Sequence, residues 1–327
     1  MFTKVLVPLD RSPLAEQAIG RAAAIARATD ATIDLLLVHE VFGARFSGSP
    51  EPDADTLAGE HHYIERIAAE LCDGASLTVT GGVHEGPAAA TICERARQTA
   101  ADLIVMTSHG RVGVGRMVLG SVADEVVRKS TRPILLLRPI ETATDRRAAH
   151  HLFKRILVPL DGSEDAAAII PAAVDLARAS RASITLLRVV GAVPAIAPFD
   201  ATIPAAHVPL IPDEVSTARL VSIVAAELDE VAQRVHEEGR VAVDSDVVVG
   251  ERVGAAIADY ARAHGVDLVA MSTHGRGASR LVLGSVADRV LHDSGLPILL
   301  QRTVRHGAEE ALITEPGIVE QLPAFSR

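Results

Sequence analysis

The chain contains one set of short motifs twice, in the same order, and this repetition constrains its fold more than any other feature. The motif LVPLD at Leu6–Asp10 returns at Leu157–Asp161. DLIVM at Asp102–Met106 returns as DLVAM at Asp267–Met271, and LGSVAD at Leu119–Asp124 returns at Leu283–Asp288. Such a repeat within 327 residues predicts two domains of the same fold.

Each copy alternates short β-branched segments with longer segments of helical periodicity, the pattern of βαβ units around a parallel sheet. The sequence therefore predicts an α/β fold of two tandem Rossmann-like domains, each a five-stranded parallel sheet flanked by helices. The predicted strands of the first copy are Lys4–Leu9, Ile33–His39, Leu77–Val83, Leu103–Thr107 and Ile134–Leu137. Those of the second are Arg155–Leu160, Ile184–Val189, Val243–Val249, Leu268–Ser272 and Ile298–Leu300. The predicted helices of the first copy are Pro13–Ala28, with Ser12 as N-cap, Leu57–Leu71, Ala88–Thr99 and Ser121–Lys129.

The motif positions also set the predicted domain boundaries: residues 1–139 and 155–303 for the two domains, 140–154 for a linker and 304–327 for a tail. The later motifs return after a longer interval than the first motif does, so the second copy contains an insertion. We assign this insertion to Val190–Pro212, where five prolines exclude a regular helix.

The fifth predicted strand of each copy, Ile134–Leu137 or Ile298–Leu300, is apolar and would be an exposed sheet edge in an isolated domain. An uncovered edge of this kind tends to pair with another strand. We therefore predict that the two copies pair through their fifth strands as an intramolecular pseudo-dimer.

Composition excludes several classes of function. A net charge of −10 and a pI near 5.7 argue against a nucleic-acid partner, which requires a concentrated basic face. There is no apolar run of about 18 residues and no signal-peptide pattern, so we expect a cytoplasmic protein without a membrane partner. Cys72 and Cys93 lack CxxC spacing and are interpreted as free thiols, with a regulatory disulfide as the alternative.

A glycine-containing loop follows the fourth strand of each copy. In the first copy Thr107-Ser-His-Gly110 is followed by nine residues and then by Gly120-Ser121, which opens a helix. Such a loop offers a phosphate unobstructed backbone N–H groups, the positive end of a helix dipole and here a serine hydroxyl. A simple flexible turn is the alternative interpretation.

Asp10 and Asp161 stand just beyond the first strand of each copy. The carboxyl ends of parallel strands form the ligand crevice of open α/β sheets, so each carboxylate can accept hydrogen bonds from a ribose or a base. Capping of the following helix is the alternative role, and the two roles are compatible.

These motifs together resemble the universal stress protein family over about 130 residues of each copy: LVPLD, DLIVM, the SHG or THG turn, GSVAD and the closing RPILLL or LPILLQ. The resemblance implies phosphate positions at Gly110, Gly120 and Ser121, and at Gly275, Gly284 and Ser285. It implies adenosine positions at Asp10 with Val38, and at Asp161 with Arg188 or Val189. Three departures stand out: Thr107 and Ser272 replace the family's first glycine, and only eight residues separate Gly275 from Gly284. Arg11 also replaces the small residue expected after Asp10, whereas the second copy keeps Gly162.

The resemblance implies a stress-response regulatory protein that binds ATP, ADP or AMP, with or without Mg²⁺, in one or both copies, and that forms a homodimer or contacts another protein. An interaction scaffold with vestigial pockets and a slow ATPase are the alternatives. A fast enzyme is not expected, because no Walker A lysine, no paired nucleophile and no carboxylate pair stands at these loops. His109 and His274 are interpreted as loop-shaping residues, with acid–base catalysis as the other option.

Overall fold

The structure is a computed structural model that describes residues 1–40, 54–72, 77–108, 119–138, 152–195, 212–274 and 284–303, except for the side chains of residues 54, 55 and 274. The tail 304–327, most of the expected linker and the centres of both glycine loops lie outside these described residues, and so do Gly110 and Gly275.

The described residues form two successive sets of alternating strands and helices. The first set is β1 Lys4–Leu9, α1 Pro13–Thr29, β2 Thr32–His39, α2 Ala54–Cys72, β3 Val79–Glu85, α3 Ala88–Gln98, β4 Leu103–Thr107, α4 Ser121–Lys129 and β5 Ile134–Leu137. The second set is β6 Arg155–Pro159, α5 Glu164–Ala167, α6 Ile170–Ser180, β7 Ser183–Val190, α7 Glu214–Gly239, β8 Val243–Val249, α8 Val253–Ala263, β9 Leu268–His274, α9 Ser285–Asp293 and β10 Ile298–Thr303.

The strands join into one sheet with the order β3-β2-β1-β4-β5-β10-β9-β6-β7-β8. Among the described strands, neighbours within each copy run parallel, whereas β5 and β10 are antiparallel, with Leu135 opposite Leu299. Both of these leucines are fully buried. The predicted α/β fold and the predicted pairing through the fifth strands are therefore confirmed.

Two boundaries differ from the sequence prediction for physical reasons. The sequence predicts the third strand at Leu77–Val83, but it is Val79–Glu85, because this half-buried edge strand takes its register from its single neighbour, with Ile33 opposite Val79. The helix after the first strand is continuous in the first copy but divides into α5 and α6 in the second. Pro171 causes this break, since it lacks the N–H that a continuous helix needs and its ring clashes with the preceding turn.

The extra length of the second copy lies before α7, as the sequence predicts for Val190–Pro212: residues 191–213 separate β7 from α7, whereas residues 40–53 separate β2 from α2. At the ends of this segment the Asp213 N–H donates to the carbonyl of Val193 at 2.8 Å and Pro194 bridges to Pro212. Both ends of the insertion are thus fastened together beside the start of α7, and residues 196–211 lie outside the described part.

The aspartate that opens the repeated DLIVM and DLVAM motifs has a structural role. Asp102 accepts hydrogen bonds from the backbone N–H and the hydroxyl of Thr3, both at 2.8 Å. Its counterpart Asp267 accepts from the N–H groups of Lys154 and Arg155 at 2.8 and 2.9 Å. Each carboxylate therefore holds the start of the first strand against the fourth strand of the same copy.

The copies are also joined through side chains at the boundary between them. Phe153, which falls in the expected linker, is 2% exposed, and the Arg21 guanidinium of α1 lies 4.3 Å from the centre of its ring. The amino group of Met1 pairs with Asp175 of α6 at 2.6 Å. On the other side of the sheet, Arg138 donates to the carbonyl of Leu291. The described residues therefore form two hydrophobic clusters, each of which contains residues of both copies.

Two further expectations concern the thiols and the membrane. Cys72 and Cys93 are both free thiols, and burial raises the pKa of Cys93 to about 11. Across the described ranges, every helix is too short or too polar to cross a bilayer. The cytoplasmic location stays a prediction.

The copies differ in one buried ion pair at the amino ends of the strands. In the first copy Asp34, which is 1% exposed, accepts two hydrogen bonds from Arg95 at 2.8 and 2.9 Å. The second copy has Thr185 and Tyr260 at these positions. There burial, together with a hydrogen bond to Asp246, raises the pKa of the Tyr260 phenol to about 12.

We predict that Asp34→Ala lowers the free energy of unfolding by about 3–5 kcal/mol, because it leaves the Arg95 cation without its buried partner. The double variant Asp34→Thr with Arg95→Tyr, which copies the second domain, should lose less than half as much. Urea unfolding followed by circular dichroism measures both. Equal losses for the single and double variants would contradict this account of the pair.

Candidate functional site

A crevice of about 660 Å³ lies at the carboxyl ends of β1, β2 and β4 in the first copy. This position is expected for a ligand site in an open α/β sheet, because the strand order reverses between β1 and β4. The predicted residues Asp10, Val38, Gly120 and Ser121 all line it. The structure therefore brings together every predicted site residue of the first copy except Gly110, which lies outside the described residues.

Local hydrogen bonds fix the conformation of the loop after β1. The Asp10 carboxylate accepts from the Ser12 N–H at 2.9 Å, and the Ser12 hydroxyl accepts from the Ala15 N–H at 3.1 Å. Ser12 is therefore the N-cap of α1, as its sequence predicted, and the carboxylate orients that cap. The sequence-based alternative that Asp10 itself caps the helix is wrong, because the Ser12 side chain performs this role.

Backbone hydrogen bonds join the two ends of the glycine loop in the first copy to each other and to β5. The Gly120 N–H donates to the carbonyl of Ser108 at 2.8 Å, and the Ser108 N–H donates to that of Leu137 at 2.8 Å. Gly120 is the N-cap of α4, and no side-chain hydrogen bond caps the helix. The first turn of α4 thus presents its N–H groups and the exposed Ser121 hydroxyl to the crevice.

A polar cluster forms the opposite end of the crevice, beyond β2. Glu60 of α2 is only 5% exposed, and its carboxylate contacts His39 Nδ1 at 2.8 Å and Arg11 Nη2 at 3.6 Å. All three residues line the crevice. Arg11 has a φ of 66°, a conformation uncommon for a residue with a side chain, so its backbone carries local strain there.

Sequence reasoning missed Glu60 and His39 as site residues. A signal for Glu60 was present, because it shares the apolar face of α2 with Ile64 and Ile67, and a charge on such a face is uncommon. His39 gave no comparable signal, since a polar residue at the end of a strand is ordinary.

The second copy places its predicted residues at matching positions. Asp161 accepts from the N–H and the hydroxyl of Ser163, which caps α5. Val189 lies near the end of β7, and Gly284 is the uncapped start of α9, followed by the exposed Ser285.

The ends of the strands nonetheless differ between the copies. In the second copy β10 continues to Thr303, whose hydroxyl donates to the carbonyl of Thr273 at 3.3 Å. In the first copy the corresponding carbonyl, that of Ser108, closes the glycine loop instead.

The surroundings of Asp161 also differ from those of Asp10. Strand register places Arg188 where the first copy has Leu37, and Gly162 where it has Arg11. A Cβ on Gly162 would meet the Arg188 guanidinium at 2.8 Å, so the guanidinium lies flat against this glycine, whose φ is 86°. Within the described residues the Arg188 Nε is buried and has no hydrogen-bond partner.

We predict that Arg188→Leu, which copies Leu37, raises the free energy of unfolding by about 1 kcal/mol, because it removes a buried unsatisfied donor. Thermal and urea unfolding of this variant beside the parent chain would measure the change. A loss of more than about 1 kcal/mol would show that the guanidinium is stabilised by groups other than those identified above.

Comparison with known proteins agrees with this architecture. The family model of the universal stress protein family matches residues 1–138 and again 152–302. A universal stress protein of Mycolicibacterium smegmatis is 26% identical over 314 residues, which cover 91% of this chain and 96% of that protein. Universal stress protein MJ0531 of Methanocaldococcus jannaschii is 29% identical over 141 residues, 42% of this chain and 83% of its own. The crystal structure of a universal stress protein from Archaeoglobus fulgidus has the same fold, with a TM-score of 0.67, 17% identity, and coverage of 91% of this chain and 98% of that one. The chain therefore belongs to the universal stress protein family.

Proposed function

We propose that the protein is a stress-response regulator that binds an adenine nucleotide, ATP or its di- or monophosphate, in the crevice of the first copy. The observation that carries the proposal is a cavity of about 660 Å³ into which the uncapped start of α4, the Asp10 loop and the end of β2 all open. These three features offer, in order, phosphate donors, a carboxylate for a ribose and a mixed apolar and polar end for a base.

The dimensions of the sheet support this assignment. Neighbouring strands lie about 4.8 Å apart, so the ends of β4 and β2, with β1 between them, are separated by roughly 10 Å. A nucleotide laid along this direction has its phosphates at α4, its ribose at Asp10 and its base at Val38. The side chains of Ile92 and Met106 supply apolar surface in the same cavity. Mg²⁺ bound to the phosphates is compatible with this arrangement.

The distribution of charged groups favours binding over hydrolysis. Among the described crevice residues, His39, Glu40 and Glu60 lie at the β2 end, and the Asp10 carboxylate at the end of β1 accepts from the Ser12 N–H, whereas the phosphates are assigned to α4. A general base must reach its proton directly or through one water molecule. The bound nucleotide therefore acts as a signal that biases a conformation or an assembly, and a homodimer or another protein would be the partner that reads it.

The second candidate function, an interaction scaffold with a vestigial pocket, applies to the second copy. Arg188 replaces an apolar residue of the crevice, and the Thr273 carbonyl is engaged by Thr303. The loop between Gly275 and Gly284 is also one residue shorter than its counterpart. Each feature weakens nucleotide binding there, so we propose that the first crevice is the tighter site.

We predict that Gly120→Val with Ser121→Ala weakens ATP binding roughly tenfold to a hundredfold, because each lost contact to a charged phosphate costs about 1.5–3 kcal/mol. The matched pair Gly284→Val with Ser285→Ala should leave the tighter site intact. Isothermal titration calorimetry with ATP measures both, and mass spectrometry of the denatured protein identifies any nucleotide that copurifies.

If the variant of the first loop retained ATP binding and the variant of the second loop lost it, the second crevice would be the tighter site. Absence of ATP, ADP and AMP binding to the unmodified chain would refute the proposed function and favour the scaffold for both copies.

A further inference from the structure

We propose that Glu60 is the residue that determines base specificity in the first crevice, by accepting a hydrogen bond from the exocyclic amino group of the base. This inference rests on the proposed nucleotide function and adds a selective contact to it. The group that carries it is the cluster of Glu60, His39 and Arg11 at the β2 end of the crevice.

The buried position of Glu60 is energetically unfavourable for a carboxylate. It is nearly as buried as Ile64 and Ile67, its neighbours on the same face of α2, yet it faces the cavity together with His39. Burial of a carboxylate is unfavourable unless its oxygens are paired. His39 Nδ1 approaches one oxygen at 2.8 Å, while Arg11 is 3.6 Å from the other and its own side chain is 40% exposed. The Arg11 contact is too long for a hydrogen bond, so Oε1 keeps capacity to accept from a ligand.

The helix that carries Glu60 has a direct counterpart in the second copy. The sequence interval that relates β3 to β8 also relates the buried Ile64 of α2 to the buried Leu228 of α7. The same interval makes Val224 the counterpart of Glu60. Val224 is also buried, so an apolar side chain fills this position in the second copy.

The second copy therefore shows that the fold does not need the polar cluster. Strand register makes Val190 the counterpart of His39, and Gly162 replaces Arg11. All three polar residues are thus absent from a copy that folds in the same way. Their presence in the first copy points to a ligand rather than to stability.

The position of Glu60 identifies the part of the ligand that it contacts. His39 follows Val38 at the end of β2, which is the far end of the crevice from the start of α4. A nucleotide held by its phosphates at α4 presents its base to this end. A carboxylate accepts hydrogen bonds and offers none, so it favours the amino group of adenine over the carbonyl that hypoxanthine carries at the same position.

The test compares ATP with inosine triphosphate, which carries a carbonyl in place of this amino group and an N–H in place of the neighbouring ring acceptor. Isothermal titration of the unmodified chain should give an affinity at its tighter site at least about tenfold higher for ATP, the discrimination expected when a buried polar group is left unpaired. Glu60→Gln should bring the two affinities within about threefold, because an amide can turn its NH₂ toward the hypoxanthine carbonyl. Glu65→Gln, an exposed change of the same charge on α2, is the matched control and should keep the preference.

Glu60→Val provides a second test that copies Val224. It should fold with an unchanged or higher melting temperature, and its ATP affinity should fall to that for inosine triphosphate. An unchanged ratio in either Glu60 variant would overturn the inference while leaving the proposed function standing. Failure of the unmodified chain to bind either nucleotide would remove both.

Discussion

The parallel pairing of β1 with β2 on one side and β4 on the other is the constraint on which the rest of the molecule depends. It brings three strand ends, with the loops that follow them, to one edge of the sheet. Residues distant in sequence, such as Asp10, His39 and Ser121, thereby share one cavity. The aspartate that holds the start of β1 to β4, Asp102, lies at the opposite edge and fixes the register from which this convergence follows.

The antiparallel contact between β5 and β10 joins two such units within one chain. It buries strands that would otherwise be exposed edges, and the Arg21–Phe153 contact closes the boundary on one face of the sheet. The two hydrophobic clusters of the described residues each contain residues of both copies, whereas the crevices of the two copies differ. At the base end of its crevice the first copy has Glu60, His39 and Arg11. The second copy has two valines and a glycine at these positions, and the Arg188 guanidinium lies against that glycine.

The sequence predicted the fold well because its signals are local. Three such signals are the alternation of strand and helix segments, the Ser12 cap and the apolar fifth strands. Each depends on the packing of its own segment, and the structure confirms all three. The family resemblance named Asp10, Val38, Gly120 and Ser121, and the structure places all four around one crevice. The roles of Glu60 and Arg188 could not be predicted from the sequence, because they depend on which strand ends lie opposite these side chains in the folded protein.

The measurement that tests this account most directly is a crystal structure of the unmodified chain grown with ATP. We expect one nucleotide per chain in the first crevice, with its phosphates at the start of α4, its ribose beside Asp10 and its amino group within hydrogen-bond distance of the Glu60 carboxylate. A nucleotide bound only in the second crevice, or one in the first crevice with its base at α4 and its phosphates at His39, would contradict the account.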